Sequence, residues 1–255
     1  MRYIDFASER KHPSRLAWMT PNVVTGMALC AGLLSIRFSI EGHFDYALVA
    51  IIASAILDGL HRRLARMLGT TSRFGEEFDS LADFLSFGLA PIVLLFFWAG
   101  EAMTASVSFC LMAFAVASAC RLARFNADAG TVKEEWQKAY FTGMPTPSAA
   151  VTVLLPVSLF EPTSETMQWL GLYTLLIAFL MVSTIPTFSG KRWHISKSPS
   201  MAVGLIAVAV GLLGVVATYP RASLVIFTVV YLSSIPLSWM SCRHERMVQQ
   251  PASKG

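Results

Sequence analysis

Residues 44–64 read Phe44-Asp-Tyr-Ala-Leu-Val-Ala-Ile-Ile-Ala-Ser-Ala-Ile-Leu-Asp58-Gly-Leu-His61-Arg62-Arg-Leu64. From Tyr46 to Leu57 no side chain carries a charge, and then Asp58, His61, Arg62 and Arg63 arrive together. About 20 apolar residues in helical form cross the hydrocarbon core of a bilayer. The stretch therefore reads as a membrane helix whose last turns are ionisable. Charged groups inside a spanning segment are costly, so each is a functional candidate until a partner explains it. One segment thus indicates both the fold class, an all-α transmembrane bundle, and the region where its chemistry belongs.

Outward from this helix, comparable apolar runs recur along the 255 residues, of which 55% are hydrophobic and 14% charged. This composition, with its positive mean hydropathy, excludes an ordinary soluble domain. About eight spans are expected, with a range of six to eight: Pro21–Ile40, Phe44–Leu64, Phe78–Ala99, Met103–Arg121, Ser148–Phe160, Trp169–Phe188, Met201–Tyr219 and Ala222–Met240. The fifth is the weakest, because its apolar run is short and Pro145, Pro147 and Pro156 interrupt it or its approach. The four cysteines, Cys30, Cys110, Cys120 and Cys242, stand singly, without metal-ligand or redox spacing. The first apolar run lacks a small-residue cleavage pattern, so no removable signal peptide is expected.

Basic residues collect at alternate connections, as they do on the cytoplasmic side of membrane proteins. They gather at the N-terminus (Arg2, Arg10, Lys11, Arg15), after the second span (Arg62, Arg63, Arg66, Arg73) and after the fourth (Arg121, Arg124, Lys133, Lys138). Lys191, Arg192 and Lys197 follow, then Arg243, Arg246 and Lys254, whereas the loops around Glu41–Asp45, Glu101 and Glu161–Glu165 contain no Lys or Arg. Arg37 and Arg221 break the alternation. Both termini are accordingly expected in the cytoplasm. The formal charge of +4 follows from this topology and is no sign of nucleic-acid binding. The chain reads as one integral membrane domain: residues 1–19 a cytoplasmic or interfacial segment, either an amphipathic helix or a basic tail, 20–150 a core, 151–241 further membrane helices and 242–255 a cytoplasmic tail.

Positions 58, 61, 62 and 65 share one helix face, and Asp79 and Asp83 stand at i and i+4 on the next helix. The connection of about Met67–Phe74 is short enough to make the two helices antiparallel neighbours, and Gly75 lets the second start close to the first. Converging carboxylates repel unless protonated or neutralised, and oxygen ligands of this kind suit Mg²⁺ or Mn²⁺. A metal there would neutralise a pyrophosphate and polarise phosphorus while a carboxylate takes the proton of an alcohol. The competing reading pairs these aspartates with Arg63, Arg66 and Arg73 as an interfacial charge cluster. Coupling of transport to intramembrane acids is a third reading, disfavoured because the acids sit near helix ends rather than mid-membrane.

The whole pattern resembles the CDP-alcohol phosphotransferase signature D-x-x-D-G-x-x-A-R, eight residues, G-x-x-x-D-x-x-x-D. Asp58, Ala65, Arg66, Gly75, Asp79 and Asp83 fall on it without a gap, and His61 and Arg62 stand where the signature has its second aspartate and its first glycine. Ser72-Arg-Phe-Gly-Glu-Glu-Phe-Asp-Ser-Leu-Ala-Asp83 and Ser86-Phe-Gly-Leu-Ala-Pro91 are similar to the membrane-type bacterial phosphatidylserine synthases of that family. So are Pro21-Asn22 with Thr25, Cys120-Arg-Leu-Ala-Arg-Phe-Asn126 and Phe141-Thr-Gly-Met-Pro-Thr-Pro147, which extends the likeness over about residues 15–150.

The resemblance implies phosphatidyl transfer from CDP-diacylglycerol to L-serine, with release of CMP, at an inner (cytoplasmic) membrane of bacterial type with the active site facing the cytoplasm. It also implies a homodimer surrounded by membrane lipids. Asp58 and Asp79 are then expected as metal ligands and Asp83 as a ligand or the catalytic base. Asn22, Thr25, Arg66 and Gly75 would lie near the nucleotide, and Arg121 and Arg124 would hold a phosphate or the serine carboxylate, or else simply anchor the cytoplasmic side. His61 removes one carboxylate, and its imidazole is a candidate ligand for Mn²⁺ or a softer metal. Arg62 adds a positive charge beside the metals. Two alternatives follow: another acceptor alcohol, or a catalytically weakened homologue that binds CDP-lipid.

Overall fold

The computed structural model describes residues 15–68, 72–128, 140–188 and 199–249. The expected interfacial segment falls mostly outside the described residues, as do Lys133, Lys138, Lys191, Arg192, Lys197 and Lys254. Ten α-helices occur in the described residues: α1 (Arg15–Ile40), α2 (Phe44–Leu68), α3 (Arg73–Asp83), α4 (Ala90–Ala99), α5 (Ala105–Ala127), α6 (Thr146–Val153), α7 (Leu155–Leu159), α8 (Ser164–Val182), α9 (Pro199–Thr218) and α10 (Pro220–Gln249). Two short strands, β1 (Tyr140–Thr142) and β2 (Pro186–Phe188), pair antiparallel in a small ribbon. The chain is an all-α integral membrane protein. Among the described residues, six helical segments are long and apolar enough to cross a bilayer: Asn22–Ile40, Phe44–Ala65, Arg73–Ala102, Ala105–Ala127, Ser164–Val182 and Pro220–Arg243. Thr146–Leu159 and Val203–Thr218 are shorter apolar helices and correspond to the fifth and seventh expected spans.

The third span starts at Arg73, earlier than the expected Phe78, and runs through a π-helical turn, Phe84–Leu89, into α4. That turn is the segment Ser86-Phe-Gly-Leu of the quoted motif. Its small residues serve close approach: a Cβ on Gly32 of α1 would sit 2.9 Å from Ser86 Cα. The fifth span is broken at Leu154, two residues before Pro156, as the missing amide hydrogen and ring of proline dictate. The expected Trp169–Phe188 span ends instead at Val182. Ser183 turns extended, and Pro186 opens β2.

Polar side chains mark the helix starts. Ser72, Thr104 and Thr163 cap α3, α5 and α8, each accepting a backbone N–H of the first turn. The core joins Leu48 and Ile51 of α2 with Phe87, Leu94, Phe114, Leu154, Met167 and Ile177. Around it the surface is apolar: Phe109, Met112, Trp169, Leu172 and Phe179 are all more than 60% exposed, which suits contact with lipid rather than water. The two exceptions to the charge alternation are both neutralised locally. Arg37 pairs with Glu41 at 2.9 Å and Arg221 with Asp45 at 2.8 Å, so the ends of α1, α2 and α10 meet at one side of the bundle.

Close packing of α1 on the π turn leads to a test. Gly32→Ala must displace the Ser86 backbone and is expected to cost about 1–3 kcal/mol, whereas Gly211 of α9 has nothing within 4 Å of its would-be Cβ. Thermal unfolding in detergent should show a lowered midpoint for Gly32→Ala and none for Gly211→Ala.

Candidate active site

α2 and α3 each pack on α1 rather than closely against one another as their short connection predicts, and their polar side chains meet between them. On α2, Asp58, His61 and Ala65 are buried while Arg63 is exposed. On α3, Gly75, Ala82 and Asp83 are buried while Phe74 and Leu81 are exposed. Each helix thus buries an aspartate, Asp58 or Asp83, while Arg63 on α2 and Arg73, Glu76 and Glu77 on α3 are exposed, and ionisable groups held inside a bundle in this way need partners.

Asp58, Asp79 and Asp83 each bring one carboxylate oxygen to within 4.8 Å of the others. Arg62 stands among them. Its Nε is 2.8 Å from Asp58 Oδ1 and 3.6 Å from Asp79 Oδ2, and its Nη2 donates to Asp83 Oδ2. The approach to Asp58 is that of a close ion pair within one helix turn. His61 lies on the far side of Asp79, with Nε2 3.6 Å from Asp79 Oδ1 and Nδ1 3.0 Å from Thr25 Oγ1 of α1. The chain Thr25–His61–Asp79 thereby ties the first three helices together.

Asn22 Oδ1 lies against Gly75, where a Cβ would come within 3.0 Å of it, and the Gly75 N–H donates to Ser72 Oγ at 3.0 Å. The glycine of the signature is thus a point of contact between α1 and the start of α3. Arg66 belongs to α2, and its side chain lies outside the described residues. Arg121 of α5 is buried, donates to Thr146 Oγ1 at 3.0 Å, and interacts electrostatically with Asp83 and Arg62. Arg124 points elsewhere: its guanidinium donates to Val182 O at 2.8 Å, Ser183 O at 3.3 Å and Thr142 O at 3.4 Å, closing the C-terminus of α8.

Two groups escaped the sequence reading. Thr146, within the quoted Phe141–Pro147 motif, holds Arg121. Ser80 donates to Asn126 Oδ1 at 3.1 Å, binding α3 to the end of α5. Both lay in motifs already noted for resemblance, and their signal was a polar residue at the edge of an apolar run.

The CDP-alcohol phosphatidyltransferase pattern matches residues 18–230. The chain belongs to this family. Among similar proteins, the CDP-diacylglycerol–serine O-phosphatidyltransferase of Mycobacterium leprae (strain TN) is 37% identical over 238 residues, covering 88% of this chain and 77% of the relative. The enzyme of that name from Helicobacter pylori (strain J99 / ATCC 700824) is 34% identical over 236 residues, covering 89% and 94%. That of Mycobacterium bovis (strain ATCC BAA-935 / AF2122/97) is 33% identical over 230 residues, covering 88% and 79%.

The family generally uses a divalent metal, and the hard oxygen donors of Asp58, Asp79 and Asp83, with a spread of less than 5 Å, fit one such ion. The same oxygens also hold Arg62, which reduces what remains for a metal. Arg124 is separable from this centre. Arg124→Ala should cost about 1–3 kcal/mol of stability, because three carbonyls lose their donor, while exposed Arg63→Ala should change stability by less than about 0.5 kcal/mol. Unfolding midpoints of the purified variants compare the two.

Proposed function

We propose that this protein transfers the phosphatidyl group of CDP-diacylglycerol to the hydroxyl of L-serine, forming phosphatidylserine and CMP at the cytoplasmic face of a bacterial-type inner membrane. The observation that carries the reading is a likeness to named serine O-phosphatidyltransferases over nearly nine-tenths of the chain, together with the converging carboxylates of Asp58, Asp79 and Asp83. The alternation of basic and Lys/Arg-free loops supports the cytoplasmic side for both termini and for the end of α2 that carries Asp58 and Arg62.

In this reading Asp58, Asp79 and Asp83 hold Mg²⁺ or Mn²⁺, with His61 Nε2 on the border of the same site. The bound ion supplies Lewis-acid polarisation of the diphosphate and charge for the departing CMP. Asn22 and Thr25 on α1, with Arg66 and Gly75, are the nucleotide-binding residues of this reading. Arg121, buried and held by Thr146, offers its guanidinium to the serine carboxylate or a phosphate. Arg124 supports Arg121 indirectly by fixing the turn after α8. Asp83 takes the proton of the serine hydroxyl as that oxygen bonds to the phosphatidyl phosphorus, and the bond from this phosphorus to the CMP oxygen breaks with its electron pair leaving on CMP. The atoms balance without a further reactant.

Arg62 favours a second reading, a CDP-lipid-binding homologue of weak turnover, because its charge sits where a metal would neutralise the triad. Purified protein with CDP-diacylglycerol and labelled L-serine, scanned over Mg²⁺ and Mn²⁺, separates the two. Metal-dependent CMP release with label in the lipid supports the synthase. Absence of turnover beside an active His61→Asp, Arg62→Gly double variant supports the weak homologue. For the synthase, Asp83→Asn is expected to lower kcat by about a hundredfold to ten-thousandfold; near-normal turnover would remove Asp83 from the role of base.

A further inference from the structure

Of the two departures from the signature, His61 and Arg62, the second brings a new charge into this centre. It is a cation on the same helix as Asp58, one turn away, and it reaches across to Asp79 and Asp83 on α3. A guanidinium stays protonated under all ordinary conditions and, unlike a metal, cannot dissociate. Counting carboxylates and guanidinium only, Asp58, Asp79, Asp83 and Arg62 leave two negative charges, which one divalent ion balances. Four aspartates with a glycine, as in the signature, would leave four, which two divalent ions balance. The geometry agrees with the charge: Arg62 approaches an oxygen of each of the three carboxylates and so takes ligand capacity from the middle of the triad. Guanidinium groups also pair with phosphate oxygens as readily as with carboxylates, so an incoming diphosphate finds a donor already in place.

We propose that Arg62 is a tethered cation standing in for one divalent ion, so that this site takes a single metal ion beside the guanidinium and grips the diphosphate of a CDP-linked substrate with both. The proposal rests on the reading of the cleft as a CDP-alcohol site. It makes Arg62 a direct ligand of the diphosphate, and it sets this chain's metal requirement apart from that of a four-aspartate site.

The test reads binding rather than turnover. Mn²⁺ titration followed by electron paramagnetic resonance, and CDP titration followed by calorimetry, are performed on detergent-purified wild type, Arg62→Gly and Arg62→Gln, the last keeping side-chain bulk without charge in case the glycine variant does not fold. The wild type is expected to bind one Mn²⁺ per chain, and loss of the charge should tighten Mn²⁺ binding by about tenfold or more, as removal of a cation in contact with the ligands requires. In EDTA the wild type should bind CDP at least about tenfold more tightly than either variant, with Mn²⁺ restoring the variants. Equal Mn²⁺ affinity and stoichiometry in the wild type and both variants would overturn the proposal, as would equal CDP affinity in EDTA. Failure of CDP to bind any form with or without Mn²⁺ would overturn the CDP-alcohol reading itself and the diphosphate grip with it, while the Mn²⁺ comparison still decides whether Arg62 displaces a metal.

Discussion

Contact between the Arg62 guanidinium and the carboxylates of Asp58, Asp79 and Asp83 fixes how α2 and α3 face each other, and much else follows from it. Three acids cannot converge in a partly dry place without a countercharge, and removal of one partner from such a cluster is far more costly than its presence is stabilising. The guanidinium meets this constraint within the chain. Its consequence is that Asp58 and Asp83 are buried between the two helices, with Phe74 and Leu81 on the exposed side of α3. α1 then closes the third side through Thr25 and His61, and through the contact of Asn22 with Gly75.

The remaining helices hold this wedge in place. The π turn at Phe84–Leu89 brings Ser86 under Gly32 and Gly88 against Ser118, so α1 and α5 clasp the same turn from two sides. α5 carries Arg121 toward the triad, and α6 presents Thr146 to receive it. Arg124, one helical turn further on, fastens the end of α8 at the two-stranded ribbon. A positive Gly143 backbone angle of 76° allows that ribbon to turn where a side chain would strike Met181 O.

Much of this was legible in the sequence, for identifiable reasons. Apolar runs of bilayer length announce themselves by composition, so the membrane bundle and the helices carrying Asp58 and Asp83 were plain. Helical spacing placed Asp58, His61 and Arg62 on one face. What spacing could not give was direction: Arg62 reads as a positive charge beside the site, yet a flexible side chain four residues from Asp58 folds back into its centre. Arg124 was equally ambiguous with Arg121, since three positions along a helix separate a buried residue that faces the triad from one that meets the end of another helix. The end of α8 at Val182 and the ribbon beyond it depend on Ser183 and Pro186, local turn signals hidden inside a run that hydropathy alone continues to Phe188. The break before Pro156, by contrast, was foreshadowed by the proline itself.

The account holds that a CDP-activated lipid and an amino-acid alcohol meet at the Asp58–Asp79–Asp83 centre. The most direct measurement is mass analysis of the lipid formed when the purified protein, in vesicles containing CDP-diacylglycerol and Mn²⁺, is offered L-serine, glycerol phosphate and choline together. The account predicts phosphatidylserine as the dominant new lipid, abolished by Asp79→Asn. Formation of a lipid from either other alcohol in its place would contradict it.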